Sequence, residues 1–88
     1  MTIVLDGSLM TTRENVHNQL QERLRLPVYY GKNLDALYDL LSVWKEPLEI
    51  NVVHWGDMEE KLGLYAEAFA EALYDAAKAN SKLTIHIQ

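Results

Sequence analysis

Leu26-Pro27-Val28-Tyr29-Tyr30-Gly31-Lys32-Asn33-Leu34-Asp35-Ala36-Leu37-Tyr38-Asp39-Leu40-Leu41-Ser42-Val43-Trp44 is the stretch around which the chain is organised. Pro27 and Gly31 bracket a loop with two adjacent tyrosines, and Asn33 is a good N-cap for a following helix. A turn of about 100° per residue sorts that helix into two faces. Leu34, Leu37, Leu40, Leu41 and Trp44 share one face, which must look into a core. Asp35, Asp39 and Ser42 fall on the other, with Tyr38 at the border. Carboxylates four positions apart on a helix repel by a few tenths of a kcal/mol. Asp35 sits in the first turn, where the helix dipole favours an anion. Asp39 lies beyond it, and its helical neighbours Asp35, Ala36, Ser42 and Val43 include no base. A solvated acidic face is the ordinary reading of such a pattern. The tyrosines Tyr29, Tyr30 and Tyr38 beside unpaired charge point instead to an acidic recognition surface for a cationic partner.

Composition narrows the function classes. Eighty-eight residues suffice for one domain, residues 1–88, and 49% hydrophobic content suffices for its core. There is no cysteine, which excludes disulfides and thiolate zinc sites. The start, Met1-Thr2-Ile3-Val4-Leu5-Asp6, lacks the basic and long apolar regions of a signal peptide, so the expected location is the cytoplasm. No apolar run approaches the roughly 20 residues that span a bilayer. A net charge of −5 argues against direct nucleic-acid binding and for a basic partner.

Either side of the central stretch, the periodicity alternates between strand and helix. Ile3, Val4 and Leu5 read as a strand over Thr2–Asp6, buried on both faces. Thr11 and Glu14 have capping-box spacing, and Val16, Leu20 and Leu24 carry a helix to about Arg25. His17 counts among its polar positions, with Arg13, Gln21 and Arg23. Leu48, Ile50 and Val52 alternate with polar residues in a second strand, followed by Val53. A short helix is expected from about Asp57 to Leu62, closed by Gly63. His54 before it could be a ligand or a base, but it has no cysteine or nearby histidine partner and reads as structural or surface. The longest helix runs from Leu64 to Asn80, with Ala66, Phe69, Ala70, Leu73 and Ala77 on its buried face. Glu67, Glu71 and Asp75 line its solvated side. Leu83, Ile85 and Ile87 alternate in a last strand. The order is β-α-α-β-α-α-β, and strands joined by helical crossovers imply an α/β fold with a parallel sheet.

Catalytic patterns are absent. The chain has no Gly-rich phosphate loop, nucleophile elbow or His-Glu-x-x-His motif, and no cofactor is expected. Asp35 and Asp39 could form an acid–base pair in a small enzyme, but a convex helix offers no cleft to separate their pKa values. A hard metal ion needs more oxygen ligands than these two supply.

The run Leu26-Pro27-x-Tyr29-Tyr30-Gly31-x-Asn33-Leu34-Asp35-Ala36-Leu37-x-Asp39-x-Leu41 resembles the barstar family of intracellular ribonuclease inhibitors. The resemblance is dense here, and length and order of elements agree along the rest of the chain. It implies a three-stranded parallel sheet ordered 1-2-3 with helices packed against it. It also implies a one-to-one complex with a secreted, basic, guanyl-specific ribonuclease, and a free protein that is monomeric. Under that resemblance Asp39 and Asp35 replace RNA phosphates in the enzyme's basic pocket. Tyr29, Tyr38 and Trp44 then add apolar area around them; Trp44 fits core packing equally well. Gly31 allows close backbone approach, and Asn33 fixes the loop. The family also places an acidic residue near Asp75 that reaches the ribonuclease from beside the main helix. Tyr38 stands where a Trp is familiar, Val43 where a Gly is, and Lys45 where an apolar residue is. These departures leave room for a barstar-fold immunity or antitoxin-like protein against a different basic nuclease or other basic protein.

Overall fold

Strands β1 (Thr2–Asp6), β2 (Leu48–Val53) and β3 (Leu83–Ile87) form a parallel sheet in the order β1-β2-β3. They belong to a computed structural model that describes all 88 residues. Four helices complete it: α1 (Arg13–Leu24), α2 (Leu34–Ser42), α3 (Trp55–Leu62) and α4 (Leu64–Ala79). The expected α/β order and the 1-2-3 sheet are both present. Ile3 pairs with Ile50, which pairs with Ile85, so aliphatic rows from all three strands face the core. The neighbouring row runs Val4, Asn51, His86 and faces outward. Val4 is 47% exposed, so β1 is not buried on both faces as its apolar run predicts. Its cross-strand neighbours are polar, and Glu49 pairs with His86 at 3.1 Å on that same outer face.

The helix ends correct several expected boundaries. Thr12, not Thr11, caps α1: its hydroxyl accepts from the Asn15 amide at 3.1 Å. Arg25 closes α1 in the left-handed region, with φ 55°. Gln19 turns its side-chain amide onto both the N–H and the C=O of Asp6, which blunts one end of the β1 edge. α3 starts at Trp55 rather than Asp57, because left-handed His54 turns the chain early and its carbonyl receives the Asp57 amide at 3.1 Å. Gly7 makes this turn possible: a side chain there would collide with the His54 carbonyl. Gly63, at φ +52°, separates α3 from α4 as expected. The buried residues of α4 are Ala66, Phe69, Leu73 and Ala76. The expected Ala70 and Ala77 are half-buried flanks of that stripe. The principal helix neighbour of α2 is α4, so α4 is the support on which the acidic helix rests.

Candidate partner-binding surface

Asn33 organises the entry to α2. Its side-chain oxygen accepts from the Ala36 amide at 2.7 Å, and its nitrogen donates to the Gly31 carbonyl at 3.1 Å. A Cβ on Gly31 would lie 3.1 Å from the Ala36 Cβ and 3.3 Å from the Asn33 side-chain nitrogen. A side chain there would be tight against the cap, and glycine lets the loop close onto it without displacing either neighbour. The two tyrosines then part company. Tyr29 is 85% exposed, whereas Tyr30 is only 7% exposed and turns into the core. Tyr30 thus leaves the set of aromatics that sequence places beside the carboxylates.

α2 presents the acidic face as its periodicity requires. Leu37 and Leu41 are buried, Leu34 and Leu40 half-buried, and Asp35 and Asp39 exposed. Neither carboxylate has a basic group within 4.0 Å; the molecule's one ion pair is Glu49–His86. Tyr38 is half-buried against the core at the border. α2 ends at Ser42, so Trp44 lies beyond the helix, half-buried against the core. A shallow groove between α2 and α4 is lined by Leu34, Asp35, Tyr38, Ala68, Glu71, Ala72 and Asp75. The structure thus brings Asp75 to the same surface as Asp35 and Tyr38. Glu71 joins them, though sequence assigned it to a solvated face. Its position one turn before Asp75 was the available signal. Asp39 and Tyr29 line no cavity.

His17 is the largest departure from the sequence reading. It sits on the core side of α1, 1% exposed, with Nδ1 2.7 Å from the Tyr30 hydroxyl and Nε2 2.6 Å from the Tyr65 hydroxyl. Arg13 stacks over Tyr65, 4.5 Å from the ring centroid. Burial raises the pKa of both tyrosines, so each keeps its proton. Burial, and then the Lys32 ammonium, hold the His17 imidazole below its ordinary value. One ring nitrogen of the neutral imidazole donates and the other accepts. The unfolded chain binds a proton near pH 6.5 and the folded chain only at lower pH. Stability is therefore full above about pH 6.5 and is lost as pH falls from there towards the depressed folded value. Urea midpoints should drop between pH 7.5 and 5.5, well above the window of Asp6, whose carboxyl is lowered by its hydrogen bonds to the Ser8 hydroxyl and amide. An unchanged midpoint across that range would show that His17 is not held neutral by folding.

Fold and surface together define a small parallel α/β protein that displays unpaired carboxylates and an exposed tyrosine around one short helix. The chain belongs to the barstar family: residues 1–88 match the family described as "Barstar (barnase inhibitor)". It is also similar to the Bacillus subtilis (strain 168) protein named "Putative ribonuclease inhibitor YrdF". The two are 36% identical over 75 residues, covering 84% of this chain and 82% of that protein. Membership of this family points to a non-enzymatic, ribonuclease-inhibitor-like role with a ribonuclease as partner.

Proposed function

We propose that the protein inhibits a guanyl-specific, barnase-type ribonuclease by inserting α2 and its preceding loop into the enzyme's basic active site, one molecule per enzyme. The observation that carries this reading is Asp39, exposed on α2 and without a basic neighbour. A ribonuclease gathers Lys, Arg and His to hold the RNA backbone and the charge of the transition state. Asp39 and Asp35 satisfy those cations in place of phosphate. Tyr29, Tyr38 and Trp44 surround them with apolar area, Gly31 and Asn33 hold the loop, and Asp75 adds a carboxylate across the α2–α4 groove. No helix is long and apolar enough to cross a membrane, and the proposed site of action is the cytoplasm. Titration into an RNA-cleavage assay should give stoichiometric inhibition that competes with RNA. Full activity of a panel of such enzymes at micromolar inhibitor would remove the reading.

A second reading is favoured by the trailing end of α2. Val43 and Lys45 are exposed there, and added bulk and positive charge suit a basic barnase-type rim poorly. The partner is then a different basic nuclease, met by the same carboxylates.

In either case association should be steered by charge. The association rate constant should exceed the roughly 10⁵–10⁶ M⁻¹s⁻¹ of unsteered docking. It should fall at least about tenfold as salt shortens the Debye length from about 10 Å at 0.1 M to about 3 Å at 1 M. The barstar family is itself a standard case of such steering, so membership supports the expectation alongside the charges. Stopped-flow rates independent of salt would contradict it.

A further inference from the structure

The trailing end of α2 closes in a tight turn, with the Val43 and Trp44 amides donating to the Leu41 carbonyl and the Ser42 hydroxyl to the Asp39 carbonyl. Val43 follows it at φ −114°, outside the left-handed region, and its last turn holds no basic residue. The tie to the rest of the fold comes from 36 to 39 residues away: the Asn80 side-chain nitrogen donates to the Leu41 carbonyl at 3.0 Å and the Trp44 carbonyl at 2.9 Å. That nitrogen carries two hydrogens, so one fork holds both carbonyls. The side-chain oxygen meanwhile accepts from the Lys82 amide at 3.0 Å, which fixes the direction of the fork. Asn80 directly follows α4 and is half-buried. It therefore ties the end of α2 to the end of the helix that carries Asp75.

A nine-residue helix has little stability alone and takes its placement from what it is fastened to. Asn33 fastens the leading end within the loop, whereas Asn80 fastens the trailing end to α4. We propose that Asn80 is a positioning residue for the α2 surface, setting where Asp39 and Trp44 stand relative to Asp75. Its consequence for inhibition rests on the ribonuclease-directed reading above. The positioning itself does not.

Two variants and two measurements test this. In the free protein, Asn80→Ala should speed hydrogen exchange of the Trp44 amide, which bonds to the Leu41 carbonyl at 3.1 Å, at least about tenfold more than that of the Ile50 amide. Asn80→Asp keeps the size and the acceptor for Lys82 but has no N–H, and should give the same local acceleration. Equal changes at Trp44 and Ile50, in whichever variant folds, would overturn the proposal. With an inhibited ribonuclease, Asn80→Ala should weaken Kd about tenfold, chiefly through faster dissociation, because no charge is changed. In an Asp39→Ala background the same substitution should cost no more than about threefold, since only Trp44 is left for it to position. Equal losses in both backgrounds would overturn the positioning of Asp39. If the wild-type protein inhibits no ribonuclease, the proposed function falls, and the exchange comparison alone decides the role of Asn80.

Discussion

Asp39→Ala should leave the protein folded while weakening its hold on the ribonuclease by about 2–5 kcal/mol, roughly 30-fold to several-thousand-fold in Kd. The free protein gains nothing from this carboxylate. Asp39 is exposed, no basic group lies within 4.0 Å, and its carboxylate makes no hydrogen bond, the Ser42 hydroxyl donating to its backbone carbonyl instead. Losing the repulsion from Asp35 should leave stability unchanged or raise it by a few tenths of a kcal/mol. In the complex the same substitution strands basic groups that were desolvated to meet it, and that penalty dominates. Asp35→Ala should cost less, because its charge is partly committed to the first turn of α2. The rank of Asp39 over Asp35 also leans on family membership, whose best-known hot spot is the matching aspartate. Denaturant melts and binding titrations of both variants, run side by side, decide the matter. Wild-type affinity in Asp39→Ala, or a loss of binding matched by a loss of stability, would sink the assignment.

The acidic face was legible because it depends on local spacing. Asn33 caps α2, Leu37 and Leu41 point inward, and Asp35 and Asp39 point out, all within ten residues. The strands were legible for the same reason, since β2 alternates residue by residue. What escaped depends on contacts between distant segments. His17 looks polar by type, and nothing near it in sequence reveals two tyrosine hydroxyls 13 and 48 positions away. Tyr29 and Tyr30 are identical as letters; only the loop turn closed by the Tyr30 amide on the Pro27 carbonyl decides which faces inward. Asn80 likewise resembles any polar residue after a helix until the carbonyls of Leu41 and Trp44 arrive beside it. The early start of α3 hides in His54, whose left-handed backbone no residue-type preference predicts with force.

His17→Ala should then be the most damaging single change behind the recognition loop, destabilising the fold by about 2–4 kcal/mol. Truncation leaves the Tyr30 hydroxyl in the core without its partner, and every buried side-chain polar atom of the wild-type protein has one. An unsatisfied buried hydroxyl costs about 1–3 kcal/mol, and the emptied imidazole volume adds to it. The Tyr65 hydroxyl suffers less, because its ring is only half-buried and solvent can replace the bond. The consequence reaches the surface through one covalent step, since Tyr30 adjoins exposed Tyr29. With the His17 latch gone, the loop keeps side-chain bonds only near its surface, from Gln21 to the Pro27 carbonyl, from Lys32 to Asn18 and from Asn33 to the Gly31 carbonyl. Tyr29 should lose order and the ribonuclease should be held less tightly, although His17 itself lies out of the partner's reach. Leu83→Ala is the control: it opens a cavity at a buried strand position but touches none of the loop's hydrogen bonds. At equal fractions of folded protein, His17→Ala should bind more weakly than Leu83→Ala, and its urea midpoint should no longer fall between pH 7.5 and 5.5. Equal affinities for the two variants would show that the buried triad supports the fold without shaping the loop.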